Sequence, residues 1–215
     1  MLPATALSGP AFLASVAASR ATLGRPSMKL LDMVDHVGAL TDGAPYAIVG
    51  GLAQMLWARK THTEDLDVAL LSDSLRLAYE RIAARRAEAG WTLPDRPDRA
   101  HEANDVFEVY HLLFDGSVVD LLTFSSPALT SAIIDTAVAV PELGSARFAC
   151  PELLLVTQLL RPGSRGALAA LDLVVARQEL GGFDVGLART WARTVGREHR
   201  LDRTLTLADT IRQSS

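Results

Sequence analysis

Three things are scarce in this chain: cysteine, lysine and uninterrupted hydrophobic sequence. Cys150 is the single cysteine among 215 residues. No internal disulfide can form and no cysteine-rich zinc site can be built, so a reducing, cytoplasmic setting is the expectation. The five histidines show no paired ligand spacing. Lys29 and Lys60 are the only lysines, so arginine supplies the rest of the 21 basic residues, and 25 acids bring the net charge to −4. That balance argues against a protein-wide attraction to nucleic acid and leaves room only for local basic patches. No apolar run approaches the roughly 18 residues that a spanning helix requires, so no membrane partner is expected. The first 31 residues contain no acid but include Arg20, Arg25 and Lys29, a composition shared with transit peptides. The favoured reading is a leading helix capped by Ser8 with Pro10 in its first turn. A signal peptide fits worse, because no positive charge precedes the apolar stretch Ala11–Ala18.

What is present suits an ordinary globular chain: 49% hydrophobic and 21% charged residues, long enough to bury a core unaided. Two helical patterns open it, one from about Pro10 to Leu23 and one after Ser27 carrying Leu30, Leu31, Val34, Val37 and Leu40. Tyr46–Val49 reads as a buried strand, Leu52–Lys60 as a short helix, Leu66–Leu71 as a second strand, and Asp73–Ala89 as a helix closed by Gly90. The loop Pro94–Arg99 precedes Val106–Phe114 and Ser117–Thr123, two strands joined by Asp115-Gly116, a strong hairpin signal. One or two short strands are expected between Thr136 and Phe148. Helices then follow over Pro151–Leu160, Gly166–Leu180 and Asp184–Arg212, the last interrupted near Gly196. The fold class expected is α/β (α+β), a small mixed sheet with flanking helices. The α/β half spans residues 1–150 and a helical subdomain residues 151–215, with the boundary at Cys150-Pro151.

The informative segment is Ile48-Val49-Gly50-Gly51, then 13 residues, then Asp65-Leu66-Asp67-Val68. Two glycines at a strand-to-helix turn let the backbone approach a ligand and offer amides to phosphate oxygens. Aspartates at i and i+2 of a strand share a face, where adjacent carboxylates repel unless a cation joins them. Hard carboxylate oxygens suit Mg²⁺ (or Mn²⁺), which shares its coordination with substrate phosphates. A third carboxylate is expected on a neighbouring strand. Asp120 supplies it within Ser117–Leu122, where a lone charge among apolar residues needs a reason. Three such groups could hold two metals about 3.5–4 Å apart.

With Gly50-Gly51, Asp65, Asp67 and Asp120 in this order, the segment Tyr46–Thr123 resembles the DNA-polymerase-β-like nucleotidyltransferase superfamily. Thr63, in Thr63-Glu64-Asp65-Leu66-Asp67, resembles its minimal, AbiEii-type toxin branch. The resemblance implies that Asp65 and Asp67 bind the metals that join the triphosphate, and that Asp120 helps activate the attacking hydroxyl. It also implies nucleotide contacts at Gly50, Gly51 and Thr63, with an NTP as substrate. The acceptor is left open between RNA, protein and a small molecule, and an antitoxin partner is a further implication. AbiEii-like proteins carry lysines in the helices after the catalytic half. Here those stretches read Leu155–Arg161 and Ala169–Leu173 without lysine, so Arg161 or Arg165 is the candidate phosphate contact.

Other residues have plainer readings beside functional ones. If Asp115-Gly116 is a two-residue turn, counting back places His111 opposite Asp120, as a tuning partner or a structural histidine. Arg189, Arg193 and Arg197 form a helical stripe that suits RNA backbone, although a solvated face is favoured. Arg96, Arg99 and His101 lie in a loop that could reach triphosphate or acceptor. Trp57, Trp91 and Trp191 read as packing residues. Two competing functions remain open: a catalytically degenerate nucleotide- or partner-binding member of the same fold, and a metal-dependent phosphohydrolase.

Overall fold

The computed structural model describes residues 33–34, 37–38, 41, 43–58, 63, 65–89, 91–92, 106–114, 117–140, 143 and 146–214. The expected helix from Pro10 to Leu23, the loop arginines Arg96 and Arg99 with His101, and the Asp115-Gly116 turn lie outside the described residues. Met33, Val34, Val37 and Gly38 of the second expected helix are helical.

Along the chain the elements are β1 (Tyr46–Val49), α1 (Gly50–Trp57), β2 (Asp65–Leu70), α2 (Ser72–Ala89), β3 (Trp91–Thr92), β4 (Val106–Phe114) and β5 (Ser117–Phe124). Then come α3 (Pro127–Asp135), β6 (Val138–Ala139), β7 (Arg147–Phe148), α4 (Pro151–Leu160), α5 (Gly163–Leu180), α6 (Val185–Thr194) and α7 (Glu198–Ser214). Among the described residues the strands form one mixed sheet in the order β3-β4-β5-β2-β1-β7-β6. The fold is therefore the expected α/β class, a mixed sheet with flanking helices. β1 is buried along its whole length, which is why it reads as a continuous apolar run, and β2 is buried after its first residue, with Asp67 among its buried positions.

Two pairings position the site. β1 and β2 run antiparallel with Val49 opposite Asp67. β2 and β5 run parallel with Asp65 opposite Val118 and Asp67 opposite Asp120. Helix α4 is buried at all ten positions, its polar Glu152, Thr157 and Gln158 included, and α5, α6 and α7 pack on it. The hydrophobic core is continuous from β1 and β2 through α4 to Leu201 and Ala208 of α7. Buried Trp57 ties α1 to the segment just ahead of α4, since its Nε1 donates to Ala149 O at 2.7 Å, and the Arg177 guanidinium of α5 lies over its ring at 5.7 Å.

Helix α3 is an element the sequence reading missed. Ser126 caps it by accepting from Leu129 N at 3.3 Å, and Pro127 occupies its first turn. Ser-Pro ahead of an apolar stretch is a recognisable helix start, so the signal was present.

Candidate metal centre

The strand β1 ends in a turn that only glycine tolerates. Gly50 has φ +60°, and a β-carbon there would lie 1.8 Å from Asp67 Oδ2. Val49, the N-cap residue of α1, has no side chain able to cap the helix. Asp67 takes that role from the neighbouring strand, its Oδ2 accepting the Gly51 amide at 3.3 Å. A carboxylate at a helix start is favoured by the helix dipole. Gly51 therefore presents its amide to Asp67, and Gly50 provides the room for that carboxylate.

The i, i+2 spacing on β2 puts Asp65 beside Asp67 on one face, and the parallel β2–β5 register brings Asp120 alongside. Ligand oxygens of Asp65, Asp67 and Asp120 all lie within 4.8 Å of one another. Among the described residues each carboxylate has a hydrogen-bond partner. The buried Thr63 hydroxyl donates to Asp65 Oδ1 at 2.7 Å, the Gly51 amide to Asp67 Oδ2, and His111 Nδ1 lies 2.8 Å from Asp120 Oδ1. None of these bonds occupies the second oxygen of each carboxylate.

Burial is the main electrostatic fact here. It pushes the Asp67 carboxyl up to about 6, with the Asp65 and Asp120 charges adding to the rise and Arg161 and the Gly51 amide opposing it. Burial also raises Asp120, against the lowering by its His111 hydrogen bond and by Arg161. Removing carboxylates from water and crowding them is unfavourable unless positive charge compensates. Three hard oxygen donors with spare oxygens, one buried and protonated more readily than usual, fit a divalent cation: the group could hold a metal ion.

Asp65, Asp67 and Asp120 are thus brought together beside the Gly50 turn, with the buried Thr63 hydroxyl bonded to Asp65. Of the two arginines offered for phosphate, Arg161 follows the last turn of α4 and its charge acts on both Asp67 and Asp120. Arg165 is exposed in the first turn of α5. Sequence reasoning did not find what secures the Arg161 segment. A β-carbon on Gly166 would stand 2.7 Å from both Arg161 Cβ and Gln158 O, so only glycine lets the turn fold back this tightly. Arg200 of α7 donates to Leu159 O at 2.6 Å, satisfying a carbonyl at the C-terminal end of α4. Buried Gln54 of α1 was also missed. Its Nε2 donates to Ala169 O at 2.9 Å and to Asp172 Oδ2 at 3.4 Å, tying the Gly50 turn's helix to α5. Only a polar side chain inside an otherwise apolar helix could have signalled it.

On the arginine stripe, Arg189 pairs with Asp202 at 2.8 Å and Arg193 with Glu198 at 2.6 Å. These exposed ion pairs match the solvated-face reading. Among the described residues no helix is long and apolar enough to cross a membrane.

No family model and no curated protein matches the sequence. Among solved structures, the chain is similar to the Megavirus polyadenylate synthase at 11% sequence identity, with a TM-score of 0.42. The match covers 80% of this chain and 36% of that one, so it spans little more than a third of the viral protein's length.

Proposed function

We propose that this protein is a metal-dependent nucleotidyltransferase that moves a nucleoside monophosphate from an NTP to an acceptor hydroxyl. One observation carries the reading: Asp65, Asp67 and Asp120 converge from two paired strands beside a turn that only glycine can make. Structural carboxylates are rarely crowded and half-buried in this way without a charge to balance them.

In this reading Asp65, Asp67 and Asp120 hold Mg²⁺ or Mn²⁺. A bound cation supplies neutralisation of triphosphate charge, the dominant need in phosphoryl chemistry. The chain's own residues do the rest. The turn at Gly50 and Gly51 and the Thr63 bond fix the two β2 carboxylates. Arg161, with Arg165 just beyond it, faces the negative charge that builds on the leaving pyrophosphate. Asp120 accepts the proton of the acceptor hydroxyl as the new O–P bond forms at the α-phosphorus and the α–β phosphoanhydride breaks. Residues 1–150 serve as the catalytic core, and residues 151–215 as the helical subdomain that delivers the arginines.

The sequence resemblance supports a finer form of the proposal, an AbiEii-type toxin-like enzyme of the cytoplasm with RNA or protein as acceptor and an antitoxin as partner. The test is incubation with each α-labelled NTP, Mg²⁺ or Mn²⁺, and RNA or whole lysate. Label should pass to one acceptor class with release of pyrophosphate, and Asp65→Asn should abolish it. Nucleotide binding without transfer to any acceptor would leave the degenerate binder as the function. Release of γ-phosphate to water would identify a phosphohydrolase instead.

A further inference from the structure

Two of the three carboxylates are held by groups next to β1 and β2: Asp67 by the Gly51 amide and Asp65 by Thr63. Asp120 is held from the opposite, β4 side. The antiparallel hairpin pairs His111 with Asp120, and His111 Nδ1 lies 2.8 Å from Asp120 Oδ1. The histidine side chain is 49% exposed and that of Asp120 only 15%, so the bond sits at the solvent rim of the cluster. With Asp120 ionised the carboxylate has only acceptors, and the proton in this bond then belongs to His111 Nδ1. Anchoring Oδ1 fixes the rotation of the carboxylate plane and leaves Oδ2 outside this bond. Metal-ligating groups depend on such outer hydrogen bonds for orientation.

We infer that His111 is a positioning residue, holding Asp120 through Oδ1 so that its other oxygen faces Asp65 and Asp67. The inference rests on the metal-site reading above and adds a part to it. An imidazole is suited to this place because its donor sits on a rigid ring with only two side-chain torsions, so little order is lost in holding the bond.

The full chain and its His111→Ala, His111→Phe and His111→Asn variants are compared by Mn²⁺ binding, followed by electron paramagnetic resonance. An asparagine amide can donate from nearly the position of Nδ1; alanine and phenylalanine cannot. Loss of the bond should weaken Mn²⁺ binding about 10–100-fold in the Ala and Phe variants, while His111→Asn stays close to wild type. If an acceptor is found, kcat should follow the same order with KM for NTP little changed. Unaltered Mn²⁺ affinity in His111→Ala overturns the inference. So does an Asn variant as weak as the Ala variant, because the ring's other nitrogen would then be the working part. Wild-type protein that binds no Mn²⁺ sinks the metal-site reading instead. The ¹⁵N spectrum of the imidazole in metal-free protein then decides His111 separately. A protonated Nδ1 that shifts in Asp120→Asn upholds the bond, and an unprotonated Nδ1 overturns it.

Discussion

Asp67 occupies the space where residue 50 would carry a side chain: a β-carbon at Gly50 would lie 1.8 Å from its Oδ2 and 2.5 Å from its Cγ. The left-handed backbone of the turn and the seat of the central carboxylate are therefore one feature. Gly50→Ala should cost roughly 1–2 kcal/mol for the positive φ alone, plus the displacement of Asp67. Denaturant unfolding should show the loss, and Mn²⁺ affinity should fall with it. In an Asp67→Ala background the same substitution should cost markedly less, because Oδ2 and Cγ are gone. Equal costs in the two backgrounds would show that the residues are not coupled.

The raised Asp67 carboxyl gives the metal-free protein a definite pH dependence. Its ordinary value of 3.8 is moved up to about 6 in the fold, so the native state binds this proton more tightly than the unfolded chain. The resulting stabilisation is present in full below about 4 and is lost as pH rises through about 6, on the order of 3 kcal/mol in total. Asp67→Asn, which cannot ionise, should therefore be more stable than wild type at pH 8 in chelator. The two should converge towards pH 4. Wild type as stable as the variant at pH 8 would contradict the shift.

Metal should reverse that penalty. At a hundredfold excess over Kd, a ligand of the native state adds about 2.7 kcal/mol, roughly 5–10 °C in Tm for a chain of this size. Mg²⁺ or Mn²⁺ should produce such a rise at pH 8 and a smaller one below pH 6, where the Asp67 proton competes with the cation. The rise should vanish on adding chelator and be absent in an Asp65→Asn, Asp67→Asn double variant. A full shift in that variant would place the cation elsewhere.

The arginines separate by position. Arg161 acts electrostatically on Asp67 and Asp120, whereas Arg189 is spent on Asp202 across the helical face. Arg161→Ala should lower kcat/KM for NTP about 10- to 1,000-fold, the range for losing one charge-stabilising donor. Arg165→Ala should cost less, and Arg189→Ala should leave turnover unchanged. A larger loss at Arg165 than at Arg161 would reassign the phosphate contact to the start of α5.

The local parts of the site were determined by the sequence itself. Strand alternation put Asp65 and Asp67 on one face, and the two-residue spacer between β4 and β5 set His111 opposite Asp120, because register within a hairpin follows from turn length. The paired glycines likewise announced a turn that needs close backbone approach. Helix α3 was within reach by the same local logic, through Ser126 and Pro127, and was overlooked. Only the tertiary structure decided that β2 lies parallel to β5 with Asp67 against Asp120, since strands more than forty residues apart carry no local mark of their register. It alone turned Gly51 towards Asp67 and Thr63 towards Asp65. It also brought Arg161 to the carboxylates by packing a fully buried α4 against α1 and fastening its end with Gly166 and Arg200. Periodicity and turn chemistry act over a few residues, whereas the convergence of charges from β2, β5 and α4 is paid for by the burial of a core that no short segment contains.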